Sequence, residues 1–190
     1  MKRNSIKTKI KLFLSLFLIG IVISCSNDDY HVEIPEGEHE EPVKIVLNFQ
    51  SLTSDLEKSY VYQVSDGTTE PPVTVINLPE GTYSVDIQLF SLNGDDLTDE
   101  IFGTDKDEHF MYFSKLNNSN VSISYADDDT TDSNGVKIGK KTIWTLTEGD
   151  SPQFVYLIHQ PAVKDPDALS AAQLGGEIDL EAHFEVNTTN

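Results

Sequence analysis

Alternation between apolar and polar residues is the feature that most limits how this 190-residue chain can fold. It is clearest from Tyr83 to Leu89, where aromatic or aliphatic residues take every second position. It returns from Glu177 to Val186, where acidic residues and His183 separate the apolar ones. Because successive side chains of a β-strand point to opposite faces, these segments predict strands with one buried face and one wetted face.

Short strands separated by turn residues are predicted along the chain beyond residue 42. The expected strands are Val43–Gln50, Tyr60–Val64, Val73–Leu78, Tyr83–Leu89, Glu108–Ser114, Asn120–Tyr125, Lys141–Thr147, Gln153–Gln160 and Glu177–Val186. Only Pro161–Gly176 is expected to be irregular or helical, with one or two helical turns within Asp165–Leu174. The expected fold class is therefore all-β: a single antiparallel β-sandwich, immunoglobulin-like or transthyretin-like, over residues 43–190.

The N-terminus has the pattern of a secretory signal. Five basic residues precede Leu12–Ile23, an almost unbroken apolar run of twelve residues. This run is too short for a membrane-spanning helix, which needs about 20 residues. We therefore expect residues 1–24 to be a signal peptide and residues 25–42, which are rich in Glu, to be a disordered acidic tether.

The run ends in Val22-Ile23-Ser24-Cys25, which looks like a bacterial lipobox. The resemblance implies that Cys25 becomes an acylated N-terminus that anchors the protein in a membrane. The alternative is an ordinary secretory signal with an incidental cysteine. The following Ser26–Asp29 stretch resembles the surface-export signal of Bacteroidota lipoproteins, which implies an outer-membrane protein at the cell surface. The alternative is an outer-membrane protein that faces the periplasm.

Charge excludes some partners. Without the five basic residues of the signal, eight basic and 32 acidic residues remain, a formal charge of −24. Such a surface repels nucleic acid and anionic lipid and suits an environment rich in cations, although solubility alone is the favoured explanation. The chain has no GxSxG, HExxH, Walker or dinucleotide motif and a single cysteine, so we expect a binding protein and not an enzyme.

Histidines at strand ends are the strongest candidates for a binding site. His109 follows Glu108 at the start of one predicted strand, and His159 ends another. Glu177 and Asp179 open the last strand. Imidazole and carboxylate groups are ligands of zinc and related divalent metals, so these five residues form the predicted metal site if their strand ends meet. The alternative is structural, with each histidine capping a backbone carbonyl.

Several short motifs are similar to those of a family of small Bacteroidota lipoproteins. The matching pieces are Glu100-Ile101, Asp107-Glu108-His109, the Asp/Asn/Gly loop before Ile138-Gly139, His159-Gln160-Pro161-Ala162-Val163-Lys164 and Gly175-Gly176-Glu177-Ile178-Asp179. The acidic, histidine-bearing tether of this family implies an accessory role beside a TonB-dependent receptor. One departure weakens this implication, because the acidic run of this tether contains only His39.

The loop from Tyr125 to Gly135 has the composition of a calcium site. Alternating Asp and Asn residues before a glycine can supply the oxygens that calcium needs. The spacing fails the EF-hand pattern, because Lys141 stands where the bidentate Glu belongs, so an acidic hairpin loop is the favoured interpretation. Asp129-Thr130-Thr131 also resembles an acceptor motif for O-glycosylation in Bacteroidota, with Thr130 as the acceptor.

Residues Phe154–Ile158 are apolar at every position. Either this strand is central and covered on both faces, which we favour, or Phe154, Tyr156 and Ile158 form an exposed apolar patch. An exposed patch, together with Trp144, would suit an adhesion or glycan-binding module, the alternative to a metal-binding protein.

Overall fold

The computed structural model describes residues 40–64 and 71–189. Within them the strands are β1 (Lys44–Ser51), β2 (Glu57–Gln63), β3 (Thr74–Pro79), β4 (Gly81–Phe90), β5 (His109–Phe113), β6 (Val121–Tyr125), β7 (Lys141–Leu146), β8 (Asp150–His159) and β9 (Glu177–Thr189). They form a five-stranded sheet in the order β2-β1-β4-β7-β6 and a four-stranded sheet in the order β3-β9-β8-β5. The predicted all-β sandwich is confirmed. The signal peptide, Cys25 and the tether up to residue 39 lie outside the described residues.

One strand pair departs from the predicted antiparallel arrangement. β3 and β9 run parallel, with Thr74 opposite Phe184 and Pro79 opposite Thr189. No hairpin sets their direction, because five further strands lie between them in the chain and β4 follows β3 in the other sheet. A hairpin forces its two strands to be antiparallel, whereas strands that meet from distant parts of a chain can pair in either direction.

The alternating residues form the main core between the sheets. Ile45 and Leu47 of β1, Ile87 of β4 and Val186 of β9 have no exposed surface. Trp144 of β7 is also fully buried, with its ring centroid 5.2 Å from that of Phe49 in an edge-to-face contact. Burial of each large apolar side chain contributes about 1.5–3 kcal/mol, so this core is the main stabilising element.

Strand β8 is covered on both faces, as favoured from the sequence. Val155 and Leu157 belong to the main core. Ile158 faces the other way and belongs to a second cluster of buried residues: Phe110, Tyr112, Ile158, Ala168 and Leu174. The segment between β8 and β9 therefore covers the part of the outer face of the four-stranded sheet that β5 and the end of β8 form.

Two helical turns differ from the sequence prediction. Between β8 and β9 only Ala171–Gln173 forms a single 3₁₀ turn, and Ala168 N–H closes a separate turn onto the Asp165 carbonyl. A π-helical turn at Glu100–Thr104, where the sequence predicted none, buries Ile101 and Phe102. Within the described ranges, no helix has the length and hydrophobicity needed to cross a membrane.

Candidate functional site

The predicted metal-binding residues come together at one end of the four-stranded sheet. In the register of the strands, His109 of β5 lies opposite His159 of β8, and His159 lies opposite Glu177 of β9. Three neighbouring strands thus bring their site residues to the same edge. The imidazole rings of His109 and His159 are stacked, with centroids 5.1 Å apart and an interplanar angle of 18°.

His109 is held in one orientation. Its side chain is buried, and Nδ1 lies 3.1 Å from the backbone carbonyl oxygen of Asp105. A carbonyl can only accept, so Nδ1 donates this hydrogen bond and Nε2 remains available to a second partner. Nε2 lies 3.5 Å from Oδ2 of Asp179. A backbone carbonyl behind the far nitrogen is the usual support of a metal-binding histidine.

His159 is more exposed and pairs with Glu108. Its Nε2 lies 3.3 Å from Oε2 of Glu108, and Gln160 Nε2 donates to the same oxygen at 3.4 Å. The hydrogen bonds from His159 and Gln160 lower the pKa of Glu108, so this residue is a carboxylate at neutral pH. Gln160 has a left-handed backbone conformation, with φ +46°, in the turn that follows β8.

These side chains line an acidic cavity of about 220 Å³. Its lining residues are Glu40, Glu41, Pro42, Glu100, Ile101, His109, His159, Glu177 and Asp179. No lysine or arginine stands among these described residues, so five carboxylates give the cavity a strongly negative potential. Sequence reasoning assigned Glu40 and Glu41 to the tether and missed their place here. In the sequence, only the Glu100-Ile101 motif indicated that Glu100 could belong to the site.

The cluster is not a finished metal centre. Among the residues that the structure describes, no group of three or more His, Cys, Asp or Glu side chains is arranged so that it could hold a metal ion. Coordination would require the exposed members, Glu177 above all, to rotate towards His109 and Asp179.

The motifs that resemble the lipoprotein family also build the structure around this cavity. Nζ of Lys164 donates to the carbonyls of Lys106 and Asp107, both at 2.9 Å, and pairs with Asp132 Oδ2 at 3.2 Å. Both partners of the ion pair are buried, with 9% and 4% of their side chains exposed. Asp107 in turn accepts hydrogen bonds from the amide and hydroxyl of Ser133. One buried lysine therefore ties the turn before β5 to the loop before β7.

Gly176, the second of the two glycines before β9, occupies a position where a side chain does not fit. Gly176 has φ +77°, and a Cβ there would lie 2.3 Å from the carbonyl oxygen of His159. Only glycine allows the chain to pass so close to the end of β8. The position of His159 in the cavity thus depends on the residue that precedes Glu177.

The acidic loop uses its carboxylates internally. Asp129 accepts from the backbone amides of Gly139 and Lys141, both at 2.7 Å. Burial raises the pKa of Asp129 despite these bonds. Asp132 accepts from the amides of Asn134 and Val136, at 2.9 and 2.8 Å. These bonds account for the Asp-rich composition of the loop, as the favoured hairpin interpretation requires. Thr130 is partly exposed, and its glycosylation stays a prediction.

The residues of the predicted glycan surface do not form one exposed group. Trp144 is fully buried in the main core, where its Nε1 donates to Thr142, so its assignment to a surface was wrong. Phe154 is partly buried, with its ring centroid 4.9 Å from that of His183. Tyr156 contacts Tyr112 and Glu181, and burial, with the nearby Glu181 charge, raises its pKa to about 12. Its apolar surface faces the second core cluster.

Comparison of the chain with protein-family models, with curated proteins and with solved structures finds no match.

Proposed function

We propose that this protein is a lipid-anchored binding protein of the outer membrane, exposed at the cell surface, that captures a divalent cation. Zinc is the favoured ion, and the role is accessory to uptake through a TonB-dependent receptor. His109, His159, Glu177 and Asp179 act as ligands, and Glu108, beside Nε2 of His159, supplies a further carboxylate oxygen.

One observation carries the proposal: two imidazoles and five carboxylates line one cavity without a compensating lysine or arginine among its described lining residues. Cations are concentrated by such a potential, and the donor atoms are those that zinc prefers. Calcium is a poorer match, because it prefers six to eight oxygen ligands and avoids imidazole.

Spacing within the two His–carboxylate pairs supports zinc. Nε2 of His109 and Oδ2 of Asp179 are 3.5 Å apart, and the corresponding atoms of His159 and Glu108 are 3.3 Å apart. Both distances are longer than the roughly 2.7–2.9 Å of a strong charge-assisted hydrogen bond. Two ligands at about 2.0–2.1 Å from a tetrahedral zinc ion are themselves about 3.3 Å apart. Either pair can therefore accept an ion with little movement of its own atoms.

Calorimetric titration of the full chain in detergent micelles with zinc chloride tests the proposal. We expect saturable binding at micromolar zinc, weakened about tenfold or more in His109→Gln and Asp179→Asn variants. His183→Gln is the matched control, because His183 pairs with Glu181 at 2.8 Å on the same sheet but does not line the cavity.

Three results would contradict the cation site. The first is the absence of binding heat at micromolar zinc. The second is equal weakening by the His109 and His183 substitutions. The third is zinc affinity equal to that of the wild type in every variant. This result would indicate binding by the tether histidines, which every variant retains.

Location is tested separately. A Cys25→Ser variant cannot be acylated, so we expect it to leave the membrane fraction while the wild type stays in it. Protease treatment of intact cells should remove the wild-type domain if it faces outward. Retention of the Cys25→Ser protein in the membrane would contradict lipid anchoring.

A further inference from the structure

The outer edge of β6 is an open strand edge. β6 ends the five-stranded sheet and pairs only with β7 among the described strands. Thr147 N–H donates to the Asn120 carbonyl and Ala126 N–H to the Lys141 carbonyl, which sets the phase of the ladder. In an antiparallel pair this phase turns the backbone groups of Val121, Ile123 and Tyr125 away from β7. Of these groups, the Val121 amide donates to Ser119 Oγ and the Tyr125 carbonyl accepts from Lys137 Nζ, so the edge is open at Ile123.

The other edges of the sandwich carry contacts across to neighbouring segments. Side chains of β2 bridge to β3, with Tyr60 Oη and Lys58 Nζ both donating to the Asn77 carbonyl. On β5 the amide of Met111 donates to the Ile138 carbonyl. β6 itself, Val-Ser-Ile-Ser-Tyr, has neither the charge nor the proline that usually protects an edge strand.

An open groove of about 630 Å³ runs beside this edge. Its apolar walls include Phe113, Leu116, Ile123, Tyr125 and Val136. It lies where the edge of one sheet faces the edge of the other, because β6 and β5 each end their sheet. An added strand would find apolar surface for one row of its side chains and backbone partners on Ile123.

Charge favours an acidic occupant. The groove is lined by Lys115, Lys137 and one acidic residue, Asp167, whereas the chain as a whole carries −19. The two lysines pair with Asp167 and Asp127, whose side chains are both exposed. Exposed ion pairs contribute at most about 1 kcal/mol, so the lysines can exchange these partners for carboxylates of a ligand.

We propose that this groove, hereafter the β6 groove, binds an extended peptide segment of a partner protein by strand addition to β6. The segment has small aliphatic side chains at alternate positions and acidic residues at its ends. Strand addition uses backbone hydrogen bonds for affinity and pockets for alternate side chains for specificity. A second copy of this chain is disfavoured, because two strongly acidic chains repel each other.

The probe is a capped heptapeptide of alternating valine and serine with glutamate at both ends. It is added to the ¹⁵N-labelled full chain in detergent micelles and followed by NMR. We expect the amide signals of Ile123 and Tyr125 to shift, and hydrogen exchange at Ile123 to slow about tenfold or more at saturation. The same peptide with N-methylated valines lacks the donors that face β6 and should leave the Ile123 signal in place.

Variants separate the β6 groove from general surface binding. Leu116→Glu places a negative charge in the wall, and the double reversal Lys115→Glu, Lys137→Glu removes the cations. Each should weaken the peptide about fivefold or more. Leu92→Glu is the matched control, because Leu92 is an exposed leucine, 63% accessible, outside the groove lining.

Three outcomes would overturn the proposal. The first is an Ile123 signal that millimolar peptide leaves unmoved. The second is a set of shifts that free succinate reproduces, which would indicate anion binding by the lysines alone. The third is an Ile123 signal that depends on protein concentration without peptide, which would make a second copy the occupant.

Discussion

Replacing Gly176 by alanine is the substitution with the clearest expected cost. Its φ of +77° is a left-handed conformation, which costs a residue with a Cβ about 1–2 kcal/mol. The new Cβ would also lie 2.3 Å from the His159 carbonyl oxygen and 2.8 Å from that of Gln160. Both obstacles are backbone atoms, so the end of β8 must move, and overpacking of this kind costs about 1–3 kcal/mol more.

Gly135→Ala provides a matched control. Gly135 has φ +81°, close to that of Gly176, but a Cβ added there would meet no atom within 4 Å. This variant should therefore lose only the conformational contribution. The free energy of unfolding should fall by about 3 kcal/mol for Gly176→Ala and by about 1–2 kcal/mol for Gly135→Ala.

Urea unfolding monitored by the fluorescence of Trp144, the only tryptophan, measures both variants. With a slope of about 2 kcal/mol per M, the midpoints should differ by roughly 0.5–1 M, at an unchanged slope. Because the end of β8 carries His159, Gly176→Ala should also weaken zinc binding, whereas Gly135→Ala should not. Equal midpoints for the two variants would refute the argument from close backbone approach.

Three further substitutions test the structure around the cavity. Lys164→Met leaves Asp132 buried without its cation and should lower the free energy of unfolding by about 3–5 kcal/mol in urea titrations. A loss below about 1 kcal/mol would show that the ion pair is not buried in solution. Leu174→Ala removes a fully buried side chain and should lower the free energy of unfolding by about 2–5 kcal/mol. Leu169 is 76% exposed, so Leu169→Ala should lower it by less than about 0.5 kcal/mol. Similar losses in the two variants would exclude the second core cluster. Desolvation acts to raise the pKa of Asp132, but hydrogen bonds from Val136, Lys164 and Asn134 hold this pKa below its ordinary value. The stabilising contribution of the Asp132 carboxylate is therefore present above about pH 4 and is lost as the pH falls further. The destabilisation by Asp132→Asn should accordingly be largest at neutral pH and shrink in thermal unfolding below pH 4, and a constant difference across that range would contradict the depressed pKa.

Strand positions follow from local pattern, and they were predictable. The alternating residues Tyr83 to Leu89 lie within β4, Gly81–Phe90. Each apolar residue of this stretch is buried and each polar residue is partly exposed, as the alternation predicts. The apolar run Phe154–Ile158 also indicated its own environment, since a strand without polar positions must be covered on both faces.

Contacts between distant segments were not predictable in the same way. The parallel pairing of β3 and β9 joins residues about a hundred positions apart, and no local pattern states its direction. The π-helical turn at Glu100–Thr104 has only two apolar residues, Ile101 and Phe102, in an acidic stretch that is typical of a loop.

The candidate site was partly predictable for the same reason. His109, His159 and Glu177 could be placed at strand ends from the sequence, but their register across three strands depends on the whole sheet. Glu40 and Glu41 belong to an acidic stretch typical of a tether, and only the path of the chain into β1 places them beside His109. Residue type alone misled the prediction for Trp144, because tryptophan is typical of glycan sites but is here fully buried in the core.

The most direct test of the cation site is NMR of the histidine side-chain nitrogens during a zinc titration of the full chain. Zinc should shift the Nε2 signals of His109 and His159 together, at equal metal concentration. The Nδ1 signal of His109 should keep its protonated character, because that nitrogen donates to the Asp105 carbonyl. The His183 signals should stay in place. Unchanged His109 and His159 signals at saturating zinc would contradict the proposed site.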